Sequence, residues 1–393
     1  MKLSTRVSTL HESATLAVTA KAARMRAAGV DVVSFGAGEP DFDTPAHIKQ
    51  AAKEALDRGE TKYPSPSSGL AVAKQAVCTK FLRDNRISYA PAQVIITTGS
   101  KMAINLAFHA VLDPGDEVIV PVPYWVSFPE IIRLADGVPV FLPGAESRDF
   151  RVTAEQIEDA LTERTRVVLL NYPSNPGGFT YEPDEIRAIA DVLSHHDVLV
   201  FSDEMYDVLV YEGRKHLSFA AVSPRAFEQT VTFNGGSKAY AMTGWRIGYA
   251  AGPQPIIDGM AKLQSQSTSG AATFTQIALA AALTGDQACV AEMREQFARR
   301  GAHMHRRLTG ISGIHCVRPT AAFYVFPNVS ALYPRIGVKD SVEFAERLLE
   351  RAKVAVVPGA AFGSDDHVRL SFATSLEQID RGLDRLAEFI AAH

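Results

Sequence analysis

Short, unbroken apolar runs rich in Val and Ile recur along this chain, and stretches with helical spacing separate them. The runs lie at 94–98 (VIITT), 117–122 (EVIVPV), 166–170 (RVVLL), 198–201 (VLVF), 230–233 (TVTF) and 246–250 (RIGYA). Helical spacing follows at 100–112, 126–135, 154–162 and 182–194. Runs without polar alternation are strands buried on both faces, and helices between them bring neighbours in parallel. The pattern predicts an α/β fold, a mostly parallel sheet with helices on both faces. The run at 246–250 is the exception. Only 239–245 precedes it, too short for a crossover helix, so that strand is expected to run antiparallel.

The chain has 393 residues, which suggests two or three domains at about 100–200 residues each. Beyond about residue 285 the character changes. A long Arg-rich helical stretch at 287–308 leads to short strands near 323–326, 354–357 and 367–372, with helices at 341–352 and 376–391. We expect an N-terminal arm at 1–45 that forms part of a small domain, a large domain at 46–285, and a small α+β C-terminal domain at 286–393. Apolar residues at 47% leave ample surface to bury, so dominant disorder is excluded. A net charge of −4 argues against a nucleic-acid partner. Cys78, Cys289 and Cys316 are odd in number and form no CxxC pair, so neither a disulfide framework nor a zinc site is expected. The eleven histidines show no metal-ligand spacing. MKLSTRVSTLHESATLAV lacks the apolar centre of a signal peptide, and no apolar run reaches the roughly 18 residues of a membrane span. The expectation is a soluble, cytoplasmic protein with no membrane partner.

Ligands of open α/β sheets bind beyond the carboxyl ends of the strands. The tips read Gly99-Ser100-Lys101, Pro123-Tyr124-Trp125, Asn171-Tyr172-Pro173-Ser174-Asn175-Pro176, Ser202-Asp203-Glu204-Met205-Tyr206 and Asn234-Gly235-Gly236-Ser237-Lys238. Together they offer what pyridoxal 5′-phosphate needs: a lysine for a Schiff base, an anion for the pyridine nitrogen and a phosphate cradle. Lys238 sits in a turn whose small residues let a bulky group approach. Asp203 emerges from a buried strand, where an unpaired carboxylate is costly, so it needs a cationic partner. Gly99-Ser100 opens a helix whose free N–H groups suit a phosphate. Arg246, at the start of its strand, adds a charge, and Trp125 is placed to stack on a flat ring.

These residues stand in longer motifs: SATLAV (13–18), GAGEPDFDTP (36–45), KYPSPSSG (62–69), NYPSNPGG (171–178), SDEMY (202–206), GGSKAYAMTGWRIGYAAGP (235–253), AFYVF (322–326) and VRLSFATS (368–375). On them the chain resembles the fold-type I, class I pyridoxal-phosphate aminotransferases. It is most similar to the bacterial aspartate aminotransferase subgroup 1b, which includes aspartate/prephenate aminotransferases. The resemblance implies a mostly parallel seven-stranded sheet and a homodimer with composite sites. It implies that Lys238 forms the Schiff base, that Asp203 protonates the pyridine nitrogen, and that Tyr206 and Asn175 bond the ring's phenolic oxygen. Trp125 would stack on the ring. Gly99, Ser100, Ser237 and Arg246 would hold the phosphate, with Tyr63 reaching the other subunit's phosphate. Arg369 would bind the substrate α-carboxylate, helped by the Gly38 backbone and Asn175. Strand alternation agrees, since Val368, Leu370 and Phe372 face away from Arg369 and Ser371.

Lys101 falls in the first turn of its helix, where a cation opposes the helix dipole, so an anion is expected nearby. The resemblance implies the side-chain carboxylate of aspartate or glutamate. Two departures stand out. The usual NPTG reads Asn175-Pro176-Gly177-Gly178, and the Lys-Pro that precedes SAT in the subgroup is His11-Glu12, which puts prephenate in question. The expected activity is ping-pong transamination between an amino acid, aspartate or glutamate first, and a 2-oxo acid. Alternatives on the same scaffold are an aromatic, neutral or prephenate aminotransferase and a cysteine-conjugate β-lyase. A non-catalytic regulator is disfavoured by the intact Lys238, Asp203 and Tyr206 and by the expected lack of an added DNA-binding domain.

Overall fold

The structure, a computed structural model, describes residues 3–8, 10 and 14–393. Its centre is a seven-stranded sheet of β1 (Val94–Thr97), β2 (Glu117–Val122), β3 (Val138–Pro143), β4 (Thr165–Asn171), β5 (Leu199–Asp203), β6 (Thr230–Gly235) and β7 (Gly248–Ala251). The spatial order is β1-β7-β6-β5-β4-β2-β3. Only β7 is reversed, pairing antiparallel with β1 and β6, as the short connection requires. The other pairs are parallel.

Alternate side chains of β1 enter different cores. Ile95 packs with Ile104 and Phe108 of the helix Ser100–Val111, whereas Val94 and Ile96 pack with Phe81 and Leu279 on the opposite face. The helix Thr273–Thr284 lies on that second face against Ala46–Asp57 and Ala71–Lys80. Burial on both faces is why these strands read as continuous apolar runs.

Besides β3, which no apolar run announced, two details depart from expectation. β7 begins at Gly248, so Arg246 precedes the strand, in a left-handed turn with φ 51°. The run at 354–357 splits. Val354–Ala355 pairs in parallel with Val33–Ser34 of the N-terminal segment, and Val357–Pro358 joins a three-stranded antiparallel sheet with Val368–Ser371 and Tyr324–Val325. Among the described residues no helix is long and apolar enough to cross a membrane.

Candidate functional site

The carboxyl ends of β1, β4, β5 and β6 open on a cavity of about 400 Å³. Gly38, Gly99, Ser100, Lys101, Trp125, Asn175, Asp203, Tyr206, Ser237, Lys238, Arg246 and Arg369 all line it. Tyr63 does not. It is 87% exposed on the loop between two helices. His11 and Glu12 lie outside the described residues.

Asp203 ends β5 with its carboxyl buried, and its Oδ1 accepts one hydrogen bond from the Met205 N–H (3.3 Å). Among the described residues no cationic side chain pairs with it, and the charge of Lys238 nearby offsets only part of the cost. Burial, with Glu204 nearby, therefore pushes its pKa up to about 7. A protonated ring nitrogen placed against this carboxylate would supply the missing charge.

Lys238 follows β6, and its ammonium donates to the Gly38 carbonyl. Burial, then the positive charge of Arg369, lowers its pKa to about 8. Tyr206 is buried with its hydroxyl 2.9 Å from that of Tyr324.

The phosphate cradle is built from close approaches. Gly99 has φ 84°, and a Cβ there would lie 2.8 Å from Arg246 Nη2. The guanidinium thus lies against the first turn of the helix Ser100–Val111 and is held by an Nη1 bond to the Thr243 carbonyl (2.8 Å). Ser100 Oγ donates to the Asn234 carbonyl (2.6 Å) and so ties the helix start to β6. Cβ atoms at Gly235 and Gly248 would sit 2.6 Å from Ser100 Oγ and 2.3 Å from Ser100 N. At Gly235, then, the missing side chain admits the helix start rather than a cofactor. Free N–H groups beside a guanidinium fit a phosphate.

Arg369 reaches the cavity from the three-stranded sheet and is 1% exposed. It donates to Asn175 Oδ1 and to the Gly36 carbonyl, both at 2.9 Å, while its Nε has no partner. The Gly36 carbonyl, not Gly38, meets this guanidinium. No carboxylate pairs with it among the described residues. Its charge is thus buried and uncompensated, and burial lowers its pKa. A substrate carboxylate would balance it.

Lys101 stands at the mouth, 4.9 Å from the Trp125 ring. The residue as a whole is exposed, yet burial around its ammonium and the nearby Arg246 charge hold its pKa below the usual lysine value. No acidic side chain meets it among the described residues. Trp125 packs edge-on against Phe128, with ring centroids 5.2 Å apart.

Gly177 stands where the usual motif has Thr, and a Cβ there would lie 2.4 Å from the Phe179 ring. That ring fills the missing space, and the Asn175 backbone N–H still bonds Asn171 Oδ1 (3.1 Å). Thr19, Glu39, Thr243 and Tyr324 also line the cavity without having been singled out, as does Asn171, named only as part of a strand tip. Glu39 Oε2 accepts from Thr243 Oγ1 (2.8 Å), and the Tyr324 ring lies 4.6 Å from the Arg369 guanidinium. Glu39, Asn171 and Tyr324 stand in GAGEPDFDTP, NYPSNPGG and AFYVF, so their motifs were the available signal.

Residues 30–386 match the family model described as aminotransferase class I and II. An aspartate aminotransferase of Bacillus subtilis (strain 168) is 48% identical over 393 residues, with 100% of both chains covered. An aspartate/prephenate aminotransferase of Nitrosomonas europaea is 43% identical over 398 residues, again with 100% of each covered. Among solved structures, the aspartate aminotransferase of Thermus thermophilus with maleate superposes with a TM-score of 0.94 at 46% identity, over 99% of this chain and 100% of that one. This chain belongs to the class I and II aminotransferase family.

Proposed function

We propose that the protein moves the amino group of a dicarboxylic L-amino acid, aspartate or glutamate, to a 2-oxo acid such as 2-oxoglutarate or oxaloacetate, in the two halves of a ping-pong cycle. One observation carries the substrate choice. Two cations, Arg369 and Lys101, line one cavity, and neither has an acidic partner among the described residues. A dicarboxylate gives each a carboxylate, the α-carboxylate to Arg369 and the distal one to Lys101. The names of the relatives support this reading.

Pyridoxal 5′-phosphate, the family's cofactor, supplies an electron sink for negative charge developing at the substrate Cα. The chain's own residues do the rest. The Lys238 amine would take the proton from the Cα of the amino donor in the first half of the cycle and return a proton to the Cα of the new amino acid in the second. Burial and the charge of Arg369, which lower its pKa to about 8 in the cofactor-free chain, favour the neutral, proton-accepting form. Asp203 would hold a proton at the pyridine nitrogen. Tyr206 and Asn175 would bond the ring's phenolic oxygen, and Trp125 would cover its face. Gly99, Ser100, Ser237 and Arg246 would hold the phosphate. Arg369 fixes the α-carboxylate and so orients the Cα–H bond. We read the active unit as a cytoplasmic homodimer, with Tyr63 serving the neighbouring subunit's phosphate. Each chain divides at 1–45, 46–285 and 286–393.

A donor panel tests the substrate choice. A charge-assisted hydrogen bond contributes about 1.5–3 kcal/mol, or roughly 10–150-fold in kcat/KM. Lys101→Ala should lose about that factor for aspartate and glutamate and change little for alanine or phenylalanine. An equal loss for every donor, with weaker cofactor binding, would assign Lys101 to the phosphate instead.

A further inference from the structure

A second cleft opens behind the strand end that carries Asp203. Successive residues of an extended segment face opposite ways. Asp203 lines the active cavity, and Glu204 turns away from it into a buried polar network. Ser202 Oγ (2.8 Å) and Ser218 Oγ (2.7 Å) donate to Glu204 Oε1, while His216 Nε2 (2.9 Å) and Asn85 Nδ2 (3.3 Å) meet Oε2. Lys80, 3% exposed, bonds Asn85 Oδ1 (2.6 Å) and pairs with Asp207. His216, Asn85 and Asp207 in turn line a cleft of about 660 Å³.

The charged side chains of this cleft do not balance. Arg86, Arg187, Arg214, Lys215 and Arg294 line it, all exposed. Arg187 is bound by Asp184 (2.6 Å) and Arg214 by Glu182. Arg86, Lys215 and Arg294 have no acidic partner among the described residues. The two acids of the lining are committed elsewhere, Asp207 to Lys80 and Asp84 to Arg83. Leu217 and Val222 add an apolar wall.

We propose that this cleft binds a small phosphate-bearing anion at a site separate from the cofactor's phosphate cradle. Guanidinium forks match phosphate oxygens in pairs, and a lysine adds a point charge. Three uncompensated cations suit a dianion with three acceptor oxygens better than a single carboxylate. The apolar wall accommodates the organic part of a phosphate ester.

The test uses the holoenzyme in phosphate-free buffer, so that the cofactor fills its own cradle. Inorganic phosphate, glycerol phosphate and ADP are titrated separately by calorimetry. We expect one saturable site per chain, and the tightest of the three probes tells free phosphate, a monoester and a nucleotide apart. Lys215→Glu/Arg294→Glu should weaken binding by at least about tenfold, with transamination kinetics and melting temperature unchanged. Lys215→Gln/Arg294→Gln, which removes charge without reversing it, should give a smaller loss in the same direction. Binding that survives both double substitutions overturns the proposal, as does the absence of saturable binding for all three probes.

Discussion

Burial holds a proton on Asp203 up to about pH 7 in the cofactor-free protein, whereas an ordinary aspartate releases it near 3.8. The sign of the consequence is fixed. Between those values the unfolded chain has lost the proton and the folded chain keeps it, so stability falls as pH rises through the window. Above about pH 7 the deficit is constant, at roughly 4 kcal/mol for a shift of about three units. Asp203→Asn carries no such charge. Cofactor-free Asp203→Asn should therefore melt above the wild-type apoprotein at pH 8, and the gap should close as pH approaches 4. Melting temperatures across that range decide it, and a gap independent of pH would mean the carboxyl is not held protonated. The same residue illustrates what sequence revealed. The apolar VLVF before it announced burial, and burial announced a need for compensation. That no cationic side chain among the described residues pairs with it, Lys238 acting only through its charge nearby, was not legible, because it depends on which tips meet in space. Arg369 repeats the lesson: alternation along VRLSF set its side apart from Val368 and Leu370, but its pairing with Asn175, 194 residues away, is a product of the fold.

At the scale of elements, the legible pieces are those whose faces are both buried, and the illegible ones lie at edges and turns. β3 was not foreseen. It is an edge strand with Pro139 and Pro143 in six residues, and its Val138 and Phe141 are 45% and 41% exposed. Prolines are tolerated at an edge because one side of the strand needs no ladder bonds, so the segment reads as loop. Between β6 and β7 the sequence reads small residues as room for a bulky group, and the structure adds a second demand, since Gly235 and Gly248 both lie against Ser100. Gly248 is needed because the start of the helix Ser100–Val111 presses against β7. Gly248→Ala would bring a methyl group to 2.3 Å from Ser100 N and force the helix start outward. Overpacking of this kind costs about 1–3 kcal/mol, and it falls on the phosphate cradle. Cofactor affinity should drop by about tenfold or more. Gly244→Ala is the matched control, since a Cβ there meets nothing within 4 Å. Equal cofactor dissociation constants for the two variants would separate the cradle from this packing.

At the scale of the whole molecule, the site draws on three parts of the chain. The N-terminal segment gives Gly36 and Gly38, the central sheet gives Asp203 and Lys238, and the C-terminal sheet gives Arg369. Each part is bonded to another across the cavity, so the site exists only when the whole chain has folded. Tyr63 alone stands outside, an aromatic ring 87% exposed on a single chain. A large exposed aromatic is a common mark of a surface that another molecule covers. A two-fold dimer would bring it to the neighbouring cradle and leave each site dependent on both chains. Tyr63→Ala and Lys238→Ala dimers should each be impaired, the second almost completely. Mixed under exchange, half of the dimers become hybrids. In a hybrid, one site joins the intact Lys238 of one chain to the intact Tyr63 of the other, and its second site lacks both. Activity should therefore recover to about one quarter of the wild-type value. Recovery needs the two residues to act across the boundary. If Tyr63 served its own chain's site, every site in a hybrid would keep one defect and the mixture would gain nothing over the average of its parents.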